Sequence, residues 1–481
     1  AEVCRWTSVL IIIHIRCAYK TVSFSFDISN AFQSTFRHKA VEPGHPPPTR
    51  MFCYQAPGFA EHGPNGEKLC CELLMLMQGA IDASRLFGTA FGHTLLKRAG
   101  ARRALWDREV WEYHVGPLSA TAETLENILA ACSSMPPTTG APPGWAVFSK
   151  HTDDGLGTAN AQSTVDYLMN AIGLDWAVKA SGWTKHLGYG LGLSSCGCFC
   201  SIDCIPVIEA LYQRHLGAHN TFKPKHPYPM NISELKPGVR PPIDSPERAP
   251  FDEMQAKCQN GLATSIWISR AHTQHVYSTN FLCGMMSNPS YEVYKCWQHS
   301  LMHLRASPCP LILGSGRKVS LSISADPPRP FSGVRHREMG LHIFVDADLG
   351  TPKARAADAS IVVPPIASGR DPMVATADAK SVSGIRMYLG GVEFVNSSLR
   401  QHLTSPDPHT SEVGAAGTAI TMALPLDGLL RELHIFSDSP MTIYCDSQST
   451  IFASRSAAAV KRSVWIERRS VVLREFVELR A

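Results

Sequence analysis

The chain has 481 residues and a mass of 52.5 kDa, too much for one hydrophobic core, so two to four domains are expected. With 44% hydrophobic and 18% charged residues, the composition excludes an unfolded, solvated chain. A net charge of +4 permits a nucleic-acid partner without requiring one, because local clustering of Lys and Arg decides that affinity.

No apolar run reaches membrane-spanning length, so no membrane partner is expected. The longest run, Val9 to Ile13, is interrupted by His14 and Arg16 and has no small-residue cleavage site after it, which argues against secretion. The chain opens without Met, directly in that apolar segment, and is expected to be a piece of something longer. Fifteen scattered cysteines fit reduced thiols in a cytoplasmic or nuclear setting.

In chain order, Val9 to Arg16 is a helix or a strand end. Within Thr21 to Gln33, Val22, Phe24 and Phe26 alternate with Ser23 and Ser25. That is the period of a half-buried strand, and it delivers Asp27 at its end. An isolated Asp in such a place is ordinarily a turn or capping residue. The stretch Trp145 to Gly157, W-A-V-F-S-K-H-T-D-D-G-L-G, predicts two short strands and a tight turn with Asp153 and Asp154 at its tip. Adjacent carboxylates repel each other unless a cation sits between them, so the tip suits Mg²⁺, a hard ion that prefers oxygen. A solvated turn is the alternative. Asp27 is the third carboxylate that a metal site needs.

Further on, Cys196, Cys198, Cys200 and Cys204 have a C-x-C-x-C-x3-C spacing. Zinc is disfavoured there, since structural sites use C-x2-C pairs on turns. Phe222 to Pro250 is rich in Pro and predicts an irregular connection. Gly261 to Met286 and Glu292 to Arg305 predict helices from mixed 3 and 4 spacing. Near Gly340 a second region begins, with a strand from His342 ending in Asp346 and Asp348. His409 to Leu424 predicts a helix opened by a Thr-Ser-Glu capping pattern, with Glu412 in its first turn.

Several of these segments carry a family resemblance. Asp27 to Phe32, D-I-S-N-A-F, is similar to the D-V-K-N-A-F of copia-type retrotransposon reverse transcriptases. Gln55 to Phe59 resembles the family's Q-P-P-G-F. Gln78 to Phe87 resembles Y-G-L-K-Q-A-P-R-A-W at Gly79, Ala83, Arg85 and, loosely, Phe87. Asp153 and Asp154 fall where the family carries Y-V-D-D. Lys185 to Gly188 resembles its F-L-G turn, and Met286 to Pro289 its M-S-N-P. Tyr388 to Gly391 resembles F-L-G-G, and His342 to Asp348 resembles a strand ending Y-S-D-A-D. Ile443 to Ser449, I-Y-C-D-S-Q-S, is nearly identical to the family's I-Y-C-D-N-Q-S. The last match is the most specific, and it marks the C-terminal third as similar to ribonuclease H.

The resemblance implies an α+β / α/β chain. A right-hand polymerase palm, an antiparallel sheet with helices, and partial fingers would occupy residues 1–204. A thumb and connection would follow in 205–335, then a ribonuclease H-like mixed-sheet α/β domain in 336–481. It also implies an RNA-directed DNA polymerase with ribonuclease H activity, part of an LTR-retrotransposon (Pseudoviridae-like) Pol polyprotein. Partners would be an RNA template, a DNA primer, the RNA–DNA hybrid and dNTPs, with protease and integrase as other Pol segments. The location would be a cytoplasmic virus-like particle, the nucleus, or both.

Two Mg²⁺ (or Mn²⁺) per active site are implied. Asp27, Asp153 and Asp154 would hold them in the polymerase site. Phe32 would exclude a ribose 2′-hydroxyl, although a core aromatic is the plainer role. Gln78, Gly79 and Arg85 would touch nucleotide or template, and Leu187 and Gly188 would support the primer end. In the ribonuclease H site the metals would be held by Asp346, Glu412 and Asp446, with Glu467 in the fourth catalytic place. Asp348 competes with Asp346, because side chains two apart on a strand share a face. The basic stretch Lys97 to Arg108, and Lys461, Arg462, Arg468 and Arg469, would track phosphates or form solvated faces.

The chain also departs from the pattern. The segment before Asp27 is short and lacks a basic fingers strand, and His151 and Thr152 stand where the family has Tyr and Val. The long interval between Asp346 and Glu412 implies an insertion around Ala354 to Ala379. The alternative is therefore a truncated, catalytically inactive element remnant that at most binds nucleic acid.

Overall fold

The computed structural model describes residues 4–35, 50–54, 61–77, 80, 82–115, 125–134, 144–217, 222–229, 232–314, 341–349, 380–402, 405, 407–435, 441–455, 471 and 473–475. It is an α+β protein of two compact units. One comprises Ala1–Leu187, Leu193–Cys198 and Gly428–Ser437; the other comprises Gly188–Gly192, Phe199–Asp427 and Asp438–Ala481.

The first unit is built on a six-stranded sheet whose neighbouring strands all run antiparallel. Its order is Arg102–Arg103, Val110–Val115, Gly144–His151, Asp154–Ala159, Val22–Ile28, Val178–Ser181. The apolar face carries Phe24, Phe26 and Phe148, which pack with Phe87 and Phe91 of the helix Ala83–Lys97 and Leu168 of the helix Gln162–Gly173.

The apolar opening segment is the helix Trp6–Tyr19, packed against the two hairpin strands. Val9 to Ile13 are all buried there, as expected of a helix that is apolar all round. The expected half-buried strand is therefore corrected: Ser25, Ser149 and Thr158 are buried along with the phenylalanines, because the sheet is covered on both faces.

The second unit contains a mixed four-stranded sheet in the order Val392–Arg400, Val382–Leu389, Leu341–Asp348, Thr442–Cys445. The first three strands are antiparallel, and the last pairs in parallel with Leu341–Asp348. A parallel partner needs a crossover connection. The helix Pro408–Glu432 lies in that connection, with Val413, Ala416, Ile420 and Ala423 buried. By length and composition it could cross a membrane, but most of its apolar stretch is buried in the protein.

Before that sheet come the helices Ile205–Leu216, Arg248–Ser269, Val276–Cys283 and Tyr291–Ala306. The Trp297 ring fills the space beside Gly261 and donates to Ser265 Oγ at 3.1 Å. The single helix expected over Gly261 to Met286 is corrected to two, broken around Ala271. There the carbonyl accepts from the Leu311 N–H at 2.7 Å, a bond to the start of the strand Leu311–Gly314.

Candidate functional site

Among the described residues, each unit carries an acidic cluster at a place where the sequence predicts one. In the first, the hairpin strands Gly144–His151 and Asp154–Ala159 are closed by a two-residue turn, Thr152–Asp153. Thr152 has φ 57°, which is strained for a β-branched residue but suits the twist of a tight hairpin. The strand Val22–Ile28 pairs beside the hairpin with Asp27 directly opposite Asp154. The Ile28 N–H donates to the Asp153 carbonyl at 3.1 Å.

The glycines after the acids have a steric cause. A Cβ on Gly155 would overlap the Phe26 ring, and one on Gly157 would overlap Phe24 and Phe148. Below the turn, Lys150 Nζ lies 2.9 Å from Glu109 Oε2, both side chains almost fully buried. The Lys150 N–H also donates to the Glu109 carbonyl at 2.8 Å. This buried pair anchors the hairpin to the residues just before the strand Val110–Val115.

Burial first, then the charges of Asp153 and Asp27, push the Asp154 carboxyl above its ordinary value, with His151 opposing. Such uncompensated repulsion fits a cation. Nearby, burial and then His151 push His186 down to about 4, so that ring stays neutral.

Phe32 is half-buried at the margin of the core, its ring 5.8 Å from that of Phe87. Arg85 is exposed on the helix Ala83–Lys97. Leu187 and Gly188 form a turn with φ 49° and 87°. Gln78, Gly79 and Gln55 to Phe59 lie outside the described residues.

In the second unit, Asp346 lies near the end of Leu341–Asp348, one step beyond the parallel pair Val345 and Cys445, and Asp446 is the next residue on the neighbouring chain. Glu412 reaches the same place from the helix Pro408–Glu432: its Oε1 accepts from the Ala347 N–H at 3.3 Å, and Asp346 Oδ1 accepts from the same N–H at 2.8 Å. Burial first, then Asp346, raise the Glu412 carboxyl; the Ala347 hydrogen bond opposes, and Asp446 adds to the rise. Glu412 Oε2 is buried without a hydrogen-bond partner. The ligand atoms of Glu412, Cys445 and Asp446 lie within 4.8 Å of one another, the one such three-residue group among the described residues. A divalent cation fits this donor set, with carboxylates as the hard ligands.

Asp346, Asp348 and Asp446 border a cavity of about 960 Å³ whose wall includes Phe344, Tyr444 and Tyr277. The Phe344 and Tyr444 rings stack at 4.5 Å. Asp346 acts on Glu412, whereas Asp348 acts on Tyr277, whose phenol is raised by burial first, then by Tyr228 and Asp348. The two acids that sequence spacing leaves equivalent are thus separated by their neighbours.

One expectation is corrected here. Glu412 is not in the first turn, because the helix begins at Pro408, and the Thr410 N–H is capped by Asp407 Oδ1 at 2.8 Å. The basic stretch is partly engaged by acids: Arg102 Nε donates to Glu112 at 2.6 Å, and Arg103 lies 3.7 Å from Glu109. Glu467, Lys461, Arg462, Arg468, Arg469 and the segment Ala354 to Ala379 lie outside the described residues. Cys445 was missed in sequence, where its position just before Asp446 was the available signal. The Glu109–Lys150 pair had no local signal.

No protein-family model matches this chain, and no curated protein matches it.

Proposed function

We propose that the chain is an RNA-directed DNA polymerase joined to a ribonuclease H, of the copia-type retrotransposon kind. The observation that carries this reading is the register that sets Asp27 opposite Asp154 beside Asp153. The same chain gathers Asp346, Glu412 and Asp446 in its other unit.

On this reading Asp27, Asp153 and Asp154 hold divalent cations in a palm-like sheet, and Asp346, Glu412 and Asp446 hold them in the mixed sheet. Bound Mg²⁺ or Mn²⁺ would supply Lewis-acid polarisation of the phosphoryl group and of the attacking hydroxyl or water. The protein's own share is positioning. The strained Thr152 turn and the buried Lys150–Glu109 pair hold the hairpin tip, and Phe32 is braced on Phe87. The exposed Arg85 offers a cation to a phosphate or base. The Leu187–Gly188 turn would support a primer end.

A second reading, a remnant without polymerase activity, has one observation in its favour. Among the described residues, Asp27, Asp153 and Asp154 do not bring three ligand atoms within 4.8 Å, as Glu412, Cys445 and Asp446 do.

The test is dNTP incorporation on poly(rA)/oligo(dT) with Mg²⁺ or Mn²⁺, beside Asp153→Asn/Asp154→Asn, and cleavage of an RNA–DNA hybrid beside Asp446→Asn. Extension lost in the first variant supports the polymerase reading. Hybrid cleavage without extension supports the second reading with a surviving nuclease. Silence in both assays overturns catalysis at either site.

A further inference from the structure

Of the four cysteines spaced C-x-C-x-C-x3-C, two are sealed and two are open. Cys200 and Cys204 are buried, and burial, then Asp203, pushes the Cys204 thiol up to about 12. Cys196 is exposed and Cys198 partly so, on the turn that follows the strand Tyr189–Leu193. Buried thiols are inert, whereas an exposed thiol with stabilised thiolate character reacts.

The turn sets the two open cysteines one residue apart, with the Cys198 sulfur on the Cys196 carbonyl. Between them Gly197 has φ 67°, a left-handed conformation that glycine takes without strain. Its carbonyl accepts from Arg16 Nη1 at 3.3 Å, which tethers the tip and places a guanidinium beside it. Cys196 Sγ lies 3.4 Å from Ser194 Oγ, and Cys198 Sγ donates to the Cys196 carbonyl at 3.5 Å. The Ser194 hydroxyl first, then the Cys198 backbone and side chain, lower the Cys196 thiol to about 7.

We propose that Cys196 and Cys198 form a thiol–disulfide exchange site for a low-molecular-weight disulfide of the glutathione type. The Cys196 thiolate attacks one sulfur of the small disulfide; a mixed disulfide forms and one small thiolate leaves. Cys198 then loses its proton to solvent and attacks the Cys196 sulfur. The second small thiolate leaves, and a Cys196–Cys198 disulfide closes. The protein dithiol is oxidised by two electrons, and the small disulfide is reduced to two thiols. A thiol titrating near the ambient pH is the best attacking group, since thiolate fraction and intrinsic nucleophilicity oppose each other.

The test uses the full chain in glutathione buffers of falling reduced-to-oxidised ratio, quenched with acid and a maleimide, followed by peptide mapping. The expected result is a Cys196–Cys198 disulfide that forms before any modification of the exposed Cys53, Cys70 and Cys71. Cys198→Ser stops at a mixed disulfide on Cys196, and Cys196→Ser leaves Cys198 maleimide-labelled. Iodoacetamide at pH 7 modifies Cys196 about threefold faster than an ordinary exposed thiol, the gain in thiolate being partly offset by lower nucleophilicity. The proposal is overturned if Cys196 reacts no faster than Cys53, Cys70 or Cys71. It is also overturned if wild type and Cys198→Ser accumulate the same mixed disulfide.

Discussion

Asp27 stands directly opposite Asp154 across two antiparallel strands, and the Ile28 N–H fixes the Asp153 carbonyl beside them. Three carboxylates remote or adjacent in sequence thus share one end of a buried sheet. Their mutual repulsion, added to burial, raises the Asp154 carboxyl, and the sheet holds them there because its apolar face is packed on two helices.

That repulsion predicts a pH and metal dependence. The folded carboxyl of Asp154 lies above its ordinary value of 3.8, so its stabilising contribution is complete below 3.8 and is lost as pH rises through the folded value. In chelator at pH 7, Asp154→Asn should melt a few degrees higher than wild type. Added Mg²⁺ should raise the melting temperature of wild type by more than that of the variant, which keeps the Glu412–Asp446 cluster of the other unit. Thermal melts with and without Mg²⁺ check both.

Gly155 must stay small. Gly155→Ala places a methyl in the Phe26 ring, and overpacking of this kind costs about 1–3 kcal/mol. Adding Phe26→Leu should recover part of the loss. Denaturant midpoints of the two single variants and the double variant measure the coupling.

Lys150→Met removes the nearer of two cations from buried Glu109, leaving Arg103 at 3.7 Å, so the loss should be at or below the low end of the about 3–5 kcal/mol that breaking a buried pair costs. Replacing both, as Lys150→Met/Glu109→Leu, should restore most of the stability. Urea unfolding of each variant is the check.

The two candidate acids of the mixed sheet should separate by function. Asp346→Asn removes a group that acts on Glu412 and should lower Mg²⁺-dependent hybrid cleavage by at least about 10–100-fold, the loss seen even when an outer-shell partner of a metal is removed. Asp348→Asn, facing Tyr277, should stay within a few-fold of wild type. Initial cleavage rates decide between them.

His14 is fully buried in the helix Trp6–Tyr19, with neither ring nitrogen hydrogen-bonded, and burial lowers it to about 4. The folded value lies below the ordinary 6.5, so the neutral ring's contribution is intact above 6.5 and is lost as pH falls towards 4. His14→Leu should therefore stabilise the protein at neutral pH by about 1–3 kcal/mol, by removing unsatisfied polar atoms. It should also flatten the acid limb of a stability–pH curve.

Local chemistry made much of both sites legible. The Asp153–Asp154 hairpin follows from strand alternation and a turn signal, and the glycines after it mark the close approach of the Phe24 and Phe26 rings. Other features had no local sign. The break between Arg248–Ser269 and Val276–Cys283 contains neither Gly nor Pro, and its carbonyl at Ala271 is taken by Leu311, remote in sequence. The start of the Glu412 helix was displaced because Asp407, not Thr410, caps it.

By itself, the sequence determined which residue types could do chemistry and which strand or turn each would sit on, because side-chain period and turn propensity are properties of neighbouring residues. Only the tertiary structure decided that Asp27 faces Asp154, that Asp346 and not Asp348 meets Glu412, and that Cys445 joins Asp446. Strand period assigns a face and not a partner. Register and crossover are set by packing between segments far apart in the chain.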